Sequence, residues 1–381
     1  MENFRIENPT VVHFGKDVIK NLAKAIGPIG KRVLLVYGKG SIKKNGVYDV
    51  IMEQLKTINA EIAEFEGIKP NPIIEDVDAA AELGRKFQPD LILAVGGGSV
   101  IDSAKIIALT IPVDFSGWKF MTNQVIARKA VPLIAVLTLA ATGTEMNQFA
   151  VVQNHTTKQK LGYGNRLIYP KHSFLDPHHT ISVPRNYTAY GISDLTAHAL
   201  ENYFGKGEAS LSDKFVYAII REAMEFGPKL LNDLTNFDYR AKIMYAATNA
   251  LNGLTVYGRV SGDWGVHDMG HVLSLLYDIP HGATLSIVYP AWMKRMKERI
   301  PERITELGKN IFNVQSVDKT ILSFEKYMKE IESPIRMSEI GIGKEKRNEI
   351  LETMHHCKVN GSNLKMDQED FKKIVDFMYE S

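Results

Sequence analysis

Five side chains of the type that binds metals fall in two short segments of this 381-residue chain. Asp194 and His198 are four residues apart, and His267 and His271 repeat that spacing. Residues at i and i+4 of a helix leave the same face, so each pair presents two donors on one side. His281 follows a proline in an apolar stretch ten residues after the second pair. Together these side chains predict a site for one divalent metal.

The predicted metal is Fe²⁺ or Zn²⁺, because both accept about four donors drawn from imidazoles and a carboxylate. Each pair alone also fits an ordinary helix-surface or core pair, and it is their combination that favours a metal. Spacing leaves open whether His267 or His271 is the ligand. The single cysteine excludes an intrachain disulfide, a cysteine zinc finger and an iron–sulfur site. The other seven of the eleven histidines are expected to be solvated or structural.

A run of three glycines, Gly96, Gly97 and Gly98, follows an apolar segment and precedes a helical pattern. Glycine lets the backbone approach an anion closely, and the free amides at a helix N-terminus bind phosphate. Ser99 is expected to cap that helix and to donate its hydroxyl to a phosphate, and Asp102 is assigned to the same cofactor site. The loop also fits a plain strand-to-helix turn, and it departs from the GxGxxG fingerprint.

A second polar loop, residues 138–145, follows another apolar segment. Its threonines, among them Thr138 and Thr142, carry hydroxyls that can bind a cofactor. The segment alone fits an ordinary loop equally well, so its position after a strand is what favours a ligand site.

The elements that position the two loops are strands with helices between them. Continuous apolar runs at residues 33–37, 91–95 and 133–137 are typical of parallel strands buried on both faces. Amphipathic stretches such as 47–55 and 77–87 complete β-then-α units and predict a doubly wound α/β fold. In that fold the loops lie at the carboxyl ends of the strands, where ligands bind.

From about residue 184 onwards, helical periodicity dominates and strand-like runs are scarce. Helices are predicted over 190–204, 212–231, 239–251 and 264–276. We therefore expect an α/β dinucleotide-binding domain at residues 1–183 and an all-α metal-binding domain at residues 184–381.

The composition is that of a folded cytoplasmic protein, with 45% hydrophobic and 24% charged residues and a net charge of +2. A nearly neutral charge argues against nucleic acid or a membrane surface as a partner. The longest apolar stretches, about 5–8 residues, fall short of the ~20 that span a bilayer. The first eight residues lack the apolar segment of a signal peptide.

The motifs together resemble those of the iron-containing (group III) alcohol dehydrogenases, in the branch of the butanol dehydrogenases and broad aldehyde reductases. The resemblance covers nearly the whole chain and follows the family order. Its blocks are YGKGSIKKNG at 37–46, KPNP at 69–72, the glycine loop to residue 105, residues 138–147, GISDLTAH at 191–198, residues 267–271 and PHG at 280–282.

The resemblance implies an N-terminal α/β dinucleotide domain and a C-terminal helical domain, as in dehydroquinate synthase, with the active site in the cleft between them. By the same resemblance the metal ligands are Asp194, His198, His267 and His281. His271 matches a histidine that lies near the nicotinamide and relays protons. Cofactor contacts are assigned to the threonine-rich loop, to Asn71 and to Lys160, and relatives of this kind are often homodimers.

One departure from the family pattern concerns the cofactor. Relatives that prefer NAD often carry Asp directly after the first strand, where it holds the adenosine ribose, whereas this chain has Gly38 followed by Lys39, Gly40 and Ser41. An acidic side chain there repels a 2′-phosphate, and its absence permits one. We therefore predict that NADP(H) is accepted and preferred over NAD(H).

The predicted reaction is metal-dependent hydride transfer between NAD(P)H and a short-to-medium-chain aldehyde or primary alcohol. Two alternatives are a lyase of the dehydroquinate-synthase type and a non-catalytic nucleotide- or metal-binding protein. The lyase binds a phosphorylated acid and needs several Lys and Arg in its pocket, but residues 273–277 near the histidines are mainly apolar. An intact ligand set argues against the non-catalytic alternative.

Overall fold

The computed structural model describes residues 1–380 and divides the chain into two compact units. The sheet unit comprises Glu7–Val183 and Thr235–Met244. The helical unit comprises Met1–Ile6, Pro184–Leu234 and the chain from Tyr245 onwards. Two short segments, residues 1–6 and 235–244, therefore depart from a single division at residue 184.

Eight strands form one large sheet and one hairpin. Their bounds are β1 Val11–Phe14, β2 Arg32–Tyr37, β3 Glu61–Glu66, β4 Leu91–Gly96, β5 Leu133–Leu137, β6 Phe149–Asn154, β7 Gln159–Gly164 and β8 His172–Leu175. Six strands form a parallel sheet of order β1-β8-β5-β4-β2-β3, and β6 pairs antiparallel with β7. The strand order reverses between β2 and β4, because the chain moves outward to β3 on one side and to β5 on the other.

Fifteen α-helices accompany these strands within the described residues. The first six are α1 Leu22–Ile26, α2 Ser41–Lys44, α3 Val47–Thr57, α4 Ile74–Phe87, α5 Gly98–Thr110 and α6 Trp118–Met121. The others are α7 Arg185–Tyr203, α8 Ser210–Asn232, α9 Phe237–Ala250, α10 Gly265–Tyr277, α11 His281–Met296, α12 Pro301–Ile311, α13 Val317–Glu330, α14 Arg347–His356 and α15 Gln368–Phe377. Short 3-10 helices span Val18–Asn21, Thr144–Met146, Arg166–Ile168, Pro177–Thr180, Met337–Ile340 and Lys344–Lys346.

The core of the sheet unit lies on both faces of the parallel sheet. Successive side chains of a strand point to opposite faces, so Leu34 and Ile92 enter one apolar cluster while Leu35 and Leu93 enter the other. Because both faces are covered, these strands are continuously apolar rather than alternating. The α/β organisation predicted from the apolar runs is confirmed, as is the all-α character of the second part.

In the helical unit, α7 is the helix that bears the first pair of predicted ligands. It packs against α8 and α11, and every residue from Gly191 to Tyr203 is buried. A helix buried all round can carry polar groups only where they find partners. The few buried ionisable side chains of α7 are therefore candidates for a functional role. Within residues 1–380, no helix combines the length and hydropathy that crossing a bilayer requires.

Candidate functional site

Three ionisable residues form one stripe along α7. Asp194, His198 and Glu201 stand at i, i+4 and i+7, the spacing of a single helix face, and they are 3%, 5% and 1% exposed. Sequence analysis found the first two and missed Glu201, although the i+7 position was a signal that could have revealed it.

The other three predicted groups come from the starts of two helices. His267 is the third residue of α10, His271 lies one turn further on, and His281 is the first residue of α11. The ring centroids of His267 and His281 are 5.2 Å apart, and those of His271 and His281 are 4.9 Å apart. The turn between α10 and α11 thus folds all three imidazoles onto one another.

Asp194, His267 and His281 each present one ligand atom, and these atoms all lie within 4.8 Å of one another. His198 lies beside this group rather than in it: its Nδ1 is 3.4 Å from Asp194 Oδ1, and its ring centroid is 4.6 Å from that of His267. His271 also lies outside the group and packs against His281. All five side chains singled out by spacing therefore lie close together, and three of them present potential ligand atoms within 4.8 Å of one another.

The chemistry of these groups suits a divalent cation. Nε2 of His267 is buried, has no hydrogen-bond partner and lies 3.9 Å from Asp194 Oδ1. Burial holds the pKa of His198 well below its usual range, and the neighbouring His267 adds to that effect. Neutral imidazoles beside a carboxylate are the forms that ligate a metal.

Acidic residues surround the other side of His267. Glu201 Oε1 lies 2.8 Å from Nδ1 of His267. Burial, followed by the nearby charge of Glu201, raises the pKa of Asp263 to about 6, although its Oδ1 accepts hydrogen bonds from the backbone amides of Asn363 and Leu364. Burial also raises the pKa of Asp268 to about 6. This concentration of carboxyl groups favours the binding of a cation beside the neutral imidazoles.

A second group of predicted residues lies at the carboxyl edge of the parallel sheet. The loops after β2, β4 and β5 begin at Gly38, Gly97 and Thr138, and these strands are adjacent in the sheet. The reversal of strand order falls between β2 and β4, and such a reversal is where open α/β sheets bind their ligands. The sheet therefore brings the three predicted cofactor loops to one edge.

The glycine loop differs in one respect from its prediction. Gly97 is the N-cap of α5, and the hydroxyl of Ser99 donates to the backbone carbonyl oxygen of Pro70. The prediction that Ser99 caps the helix is wrong, because Ser99 is already the second residue of the helix. The close approach favours glycine at position 98, since a Cβ there would lie 2.7 Å from Cγ2 of Thr142 and would force that side chain to move. The glycine and threonine loops are thus in contact.

Asp102 proves to be an internal anchor of these loops. Its Oδ1 accepts from the Thr144 hydroxyl at 2.6 Å, and its Oδ2 accepts from the Val151 backbone amide at 2.9 Å. Burial raises its pKa, and the ammonium of Lys105 opposes that shift. Lys105, one turn further along α5, was missed by sequence analysis because nothing local distinguishes it.

Two predicted cofactor residues that are 89 positions apart meet directly. Nζ of Lys160, on β7, donates a hydrogen bond to Oδ1 of Asn71 at 2.9 Å. Both side chains are buried. The contact fixes the hairpin against the segment that leads into α4, and it joins two sequence blocks that spacing alone could not connect.

The loop after β2 has a basic and an acidic neighbour. Gly40 has φ of +80°, a left-handed value that favours glycine, and a Cβ there would lie 3.4 Å from Oε1 of Glu66. Glu66 is the last residue of β3 and is paired with Tyr37 of β2 in the sheet. Its carboxylate forms an ion pair with Nζ of Lys43 at 2.9 Å. The ammonium of Lys43 lowers the pKa of Glu66. The predicted adenosine end of the site is therefore close to one neutralised acid.

Comparison with known families assigns both parts of the chain. Residues 9–177 match the model of the iron-containing alcohol dehydrogenases, and residues 188–379 match that of the C-terminal domain of the same Fe-containing family. The chain belongs to the iron-containing alcohol dehydrogenase family. The predicted family resemblance is thereby confirmed over almost its whole length.

Individual relatives of this alcohol dehydrogenase family member cover most of both chains. It is 41% identical over 321 residues to a probable NADH-dependent butanol dehydrogenase of Bacillus subtilis, covering 84% of this chain and 83% of that protein. It is 35% identical to the NADPH-dependent aldehyde reductase YqhD of Escherichia coli, covering 90% of each. A crystal structure of NADH-dependent butanol dehydrogenase A from Thermotoga maritima superposes with a TM-score of 0.97 at 36% identity, covering 100% of this chain and 99% of that one.

Proposed function

We propose that this protein is a metal-dependent alcohol dehydrogenase that transfers a hydride between NAD(P)H and short-to-medium-chain aldehydes or primary alcohols. The observation that carries the proposal is the group formed by Asp194, His267 and His281, whose ligand atoms lie within 4.8 Å of one another. It occurs in a chain of the iron-containing alcohol dehydrogenase family, whose relatives include butanol dehydrogenases and an aldehyde reductase.

The metal centre consists of Asp194, His198, His267 and His281. The carboxylate offsets part of the cation charge, and the imidazoles supply nitrogen donors. When bound, Fe²⁺ or Zn²⁺ supplies a Lewis acid for the substrate oxygen. His271, whose ring lies 4.9 Å from that of His281, holds and moves the proton at an imidazole nitrogen during alcohol oxidation and aldehyde reduction.

The nicotinamide cofactor binds at the carboxyl edge of the sheet. Gly96, Gly97 and Gly98 leave room for the diphosphate, and the amides at the start of α5 bind it. The cofactor is further bound by residues of the surrounding loops and the hairpin, namely Gly38, Gly40, Ser41, Asn71, Ser99, Asp102, Thr138, Thr142 and Lys160. When bound, the nicotinamide supplies the hydride acceptor or donor, while these residues orient it.

NADP(H) is the preferred cofactor. Gly38 and Gly40 provide space for a 2′-phosphate, and Lys39 is exposed beside them. The acid that faces Gly40, Glu66, is paired with Lys43. Relatives divide between the two cofactors, since the 41% identical butanol dehydrogenase is named NADH-dependent and the 35% identical reductase NADPH-dependent. Comparing kcat/KM for NADPH and NADH tests this preference, and a clear advantage for NADH contradicts it.

The protein forms a homodimer through the outer edge of β1. This strand is one of the two edge strands of the six-stranded sheet, and its Val11 and Phe14 side chains are 50% and 38% exposed. An exposed apolar edge strand favours pairing with another strand. Val11→Lys should shift the sedimentation coefficient to that of a monomer, whereas Leu322→Lys, at an exposed site on α13, should not. A monomeric parent protein contradicts the proposal.

The reaction is tested with metal-free, Fe²⁺-loaded and Zn²⁺-loaded protein against a panel of short- and medium-chain aldehydes and alcohols. We expect NADPH consumption with aldehydes only after metal loading. Asp194→Asn should lose metal content and turnover together. Loaded protein that turns over no simple alcohol or aldehyde overturns the proposed function.

A further inference from the structure

Glu201 is a buried carboxylate that contacts one of the predicted metal ligands from 66 residues away. It lies on α7 and is 1% exposed. Its Oε1 lies 2.8 Å from Nδ1 of His267 and accepts a hydrogen bond from the backbone amide of the same residue at 2.9 Å. Among the ion pairs of residues 1–380, the Glu201 carboxylate meets only this imidazole.

The contact selects one tautomer of His267. A carboxylate facing Nδ1 is an acceptor, so the ring proton resides on Nδ1 and the lone pair on Nε2. That Nε2 is the atom that lies 3.9 Å from Asp194 Oδ1 and is buried without a hydrogen-bond partner. The imidazole therefore presents its free lone pair on the side where Asp194 and His281 present their ligand atoms.

Glu201 also holds the backbone from which His267 projects. Its Oε2 accepts from the backbone amide of Trp264 at 2.6 Å, and Trp264, the N-cap of α10, has φ of +68°. A left-handed conformation in a tryptophan is costly and persists only where its surroundings enforce it. The amides of a first helical turn lack partners within their own helix, so one carboxylate from α7 satisfies two donors and sets where α10 begins.

The placement of Glu201 links the two ligand-bearing helices. Asp194 stands two turns before it and His198 one turn before it on the same face of α7, while His267 stands on α10. The helix α7 therefore supplies two predicted ligands directly and controls a third through Glu201. Imidazole ligands in metalloproteins regularly donate their second ring N–H to a carboxylate, which orients the ring and increases its basicity.

We propose that Glu201 is a positioning residue for the metal centre, fixing the tautomer and the ring orientation of His267 so that Nε2 binds the metal. The inference rests on the proposed metal-dependent function. A purely structural role, capping α10, predicts that loss of Glu201 lowers stability without changing how tightly folded protein holds the metal.

The experiment measures Zn²⁺ affinity by chelator competition and the visible absorption of the Co²⁺-loaded protein. Glu201→Gln keeps the size and one acceptor oxygen but loses the charge and cannot accept from both His267 and Trp264. We expect it to weaken Zn²⁺ binding about 10- to 100-fold and to shift the Co²⁺ bands. Glu201→Ala should weaken Zn²⁺ binding further. If the alanine variant does not fold, Glu201→Gln by itself is sufficient to test the proposal.

Asp213→Asn is the matched control. Asp213 is a buried carboxylate of α8 whose partners are Arg259 and Arg303 rather than an imidazole. We expect it to lower the unfolding temperature of the metal-free protein while leaving Zn²⁺ affinity within about twofold. If Glu201→Gln keeps the parental Zn²⁺ affinity and Co²⁺ spectrum, the positioning role of Glu201 is overturned, but the proposed metal function is not. A parent protein that binds no Zn²⁺ or Fe²⁺ overturns the proposed metal function as well.

Discussion

Nζ of Lys105 lies 2.7 Å from both the backbone carbonyl oxygen and the hydroxyl oxygen of Thr144. Both oxygens of Asn147 and the carbonyl oxygen of Phe149 also lie within hydrogen-bond distance of this nitrogen, so five oxygens share its three N–H donors. The hydroxyl of Thr144 donates a hydrogen bond to Asp102, which stands on α5 with Lys105. The helix that begins at the glycine loop is thus tied to the threonine loop by one fully buried lysine.

The first prediction follows from this tie. Lys105→Met removes a group with three N–H donors, so up to three of these oxygen acceptors lose their hydrogen bond, each at a cost of about 1–3 kcal/mol where water cannot enter. We expect lower stability and NADPH binding weakened by at least about tenfold, or ~1.4 kcal/mol, with unchanged metal content. Fluorescence titration of NADPH and metal analysis of the same sample measure both effects.

A milder variant and a control accompany that test. Thr144→Val deletes the hydroxyl that joins Lys105 to Asp102 and should weaken NADPH binding less than Lys105→Met. Lys86→Met removes an exposed lysine paired with Glu82 on α4 and should change nothing measurable. Parental NADPH affinity in folded Lys105→Met would show that the buried charge does not organise the cofactor loops.

The second prediction separates the two histidines of α10. His267→Ala should abolish metal binding and turnover, because its Nε2 belongs to the group of ligand atoms that includes Asp194. His271→Ala should retain the metal and slow turnover by about 10²-fold, the lower range for loss of a proton-transfer group. Metal content, measured by elemental analysis, and kcat together show which histidine is the ligand and which transfers the proton. The reverse pattern would exchange their roles.

The third prediction concerns the acid beside the loop after β2. If Lys43 neutralises Glu66 near a bound 2′-phosphate, Glu66→Gln should raise the ratio of kcat/KM for NADPH over NADH, and Lys43→Met should lower it. Each change should be several-fold, roughly 3- to 10-fold at low salt, and should shrink as salt screens the charges.

The Glu82–Lys86 pair supplies the control for this third test. It joins an acid and a base at 2.7 Å on the same unit, also at the surface. Glu82→Gln and Lys86→Met alter the net charge in the same steps and should leave the cofactor ratio unchanged. Equal shifts in both sets of variants would attribute the effect to net charge rather than to the position of Glu66.

The fourth prediction is a pH dependence of stability. Burial and the neighbouring Glu201 raise the pKa of Asp263 from 3.8 to about 6, so between these values the folded protein keeps a proton that the unfolded chain has released. Its contribution to stability is present below pH 4 and is lost as pH rises through 6. Relative to the parent, metal-free Asp263→Asn should gain up to ~3 kcal/mol from pH 4 to pH 7. Urea unfolding measures the difference, and a pH-independent offset contradicts it.

Local pattern was a good guide to the elements. The apolar run at residues 133–137 coincides with β5, and the periodicity over 264–276 lies within one residue of α10 at each end. A strand that is buried on both faces needs a continuous apolar run, and a helix that is buried on one face needs apolar residues at the helical period. Both patterns can therefore be seen directly in the sequence. Short or half-exposed strands such as β3 and β8 left no comparable signal.

The side chains that support the site were harder to predict. Ser99 looked like a helix cap, but the helix begins one residue earlier and the hydroxyl turns to Pro70. Glu201 and Lys105 each sit on a helix among buried residues, and their roles depend on partners 66 and at least 39 positions away. Helical spacing reports only neighbours three, four or seven residues apart.

The sequence by itself determined which residue types stand on which helix faces, and therefore that carboxylate and imidazole donors accompany a phosphate-type glycine loop. Those relations are local, because the helical period and the strand–loop–helix order depend on residues that are close together in the sequence. Only the tertiary structure decided that α7 and α10 pack with Glu201 against Nδ1 of His267, leaving Nε2 toward Asp194. Such a contact depends on the packing of whole buried helices, which is set by the complementarity of many side chains rather than by any single spacing.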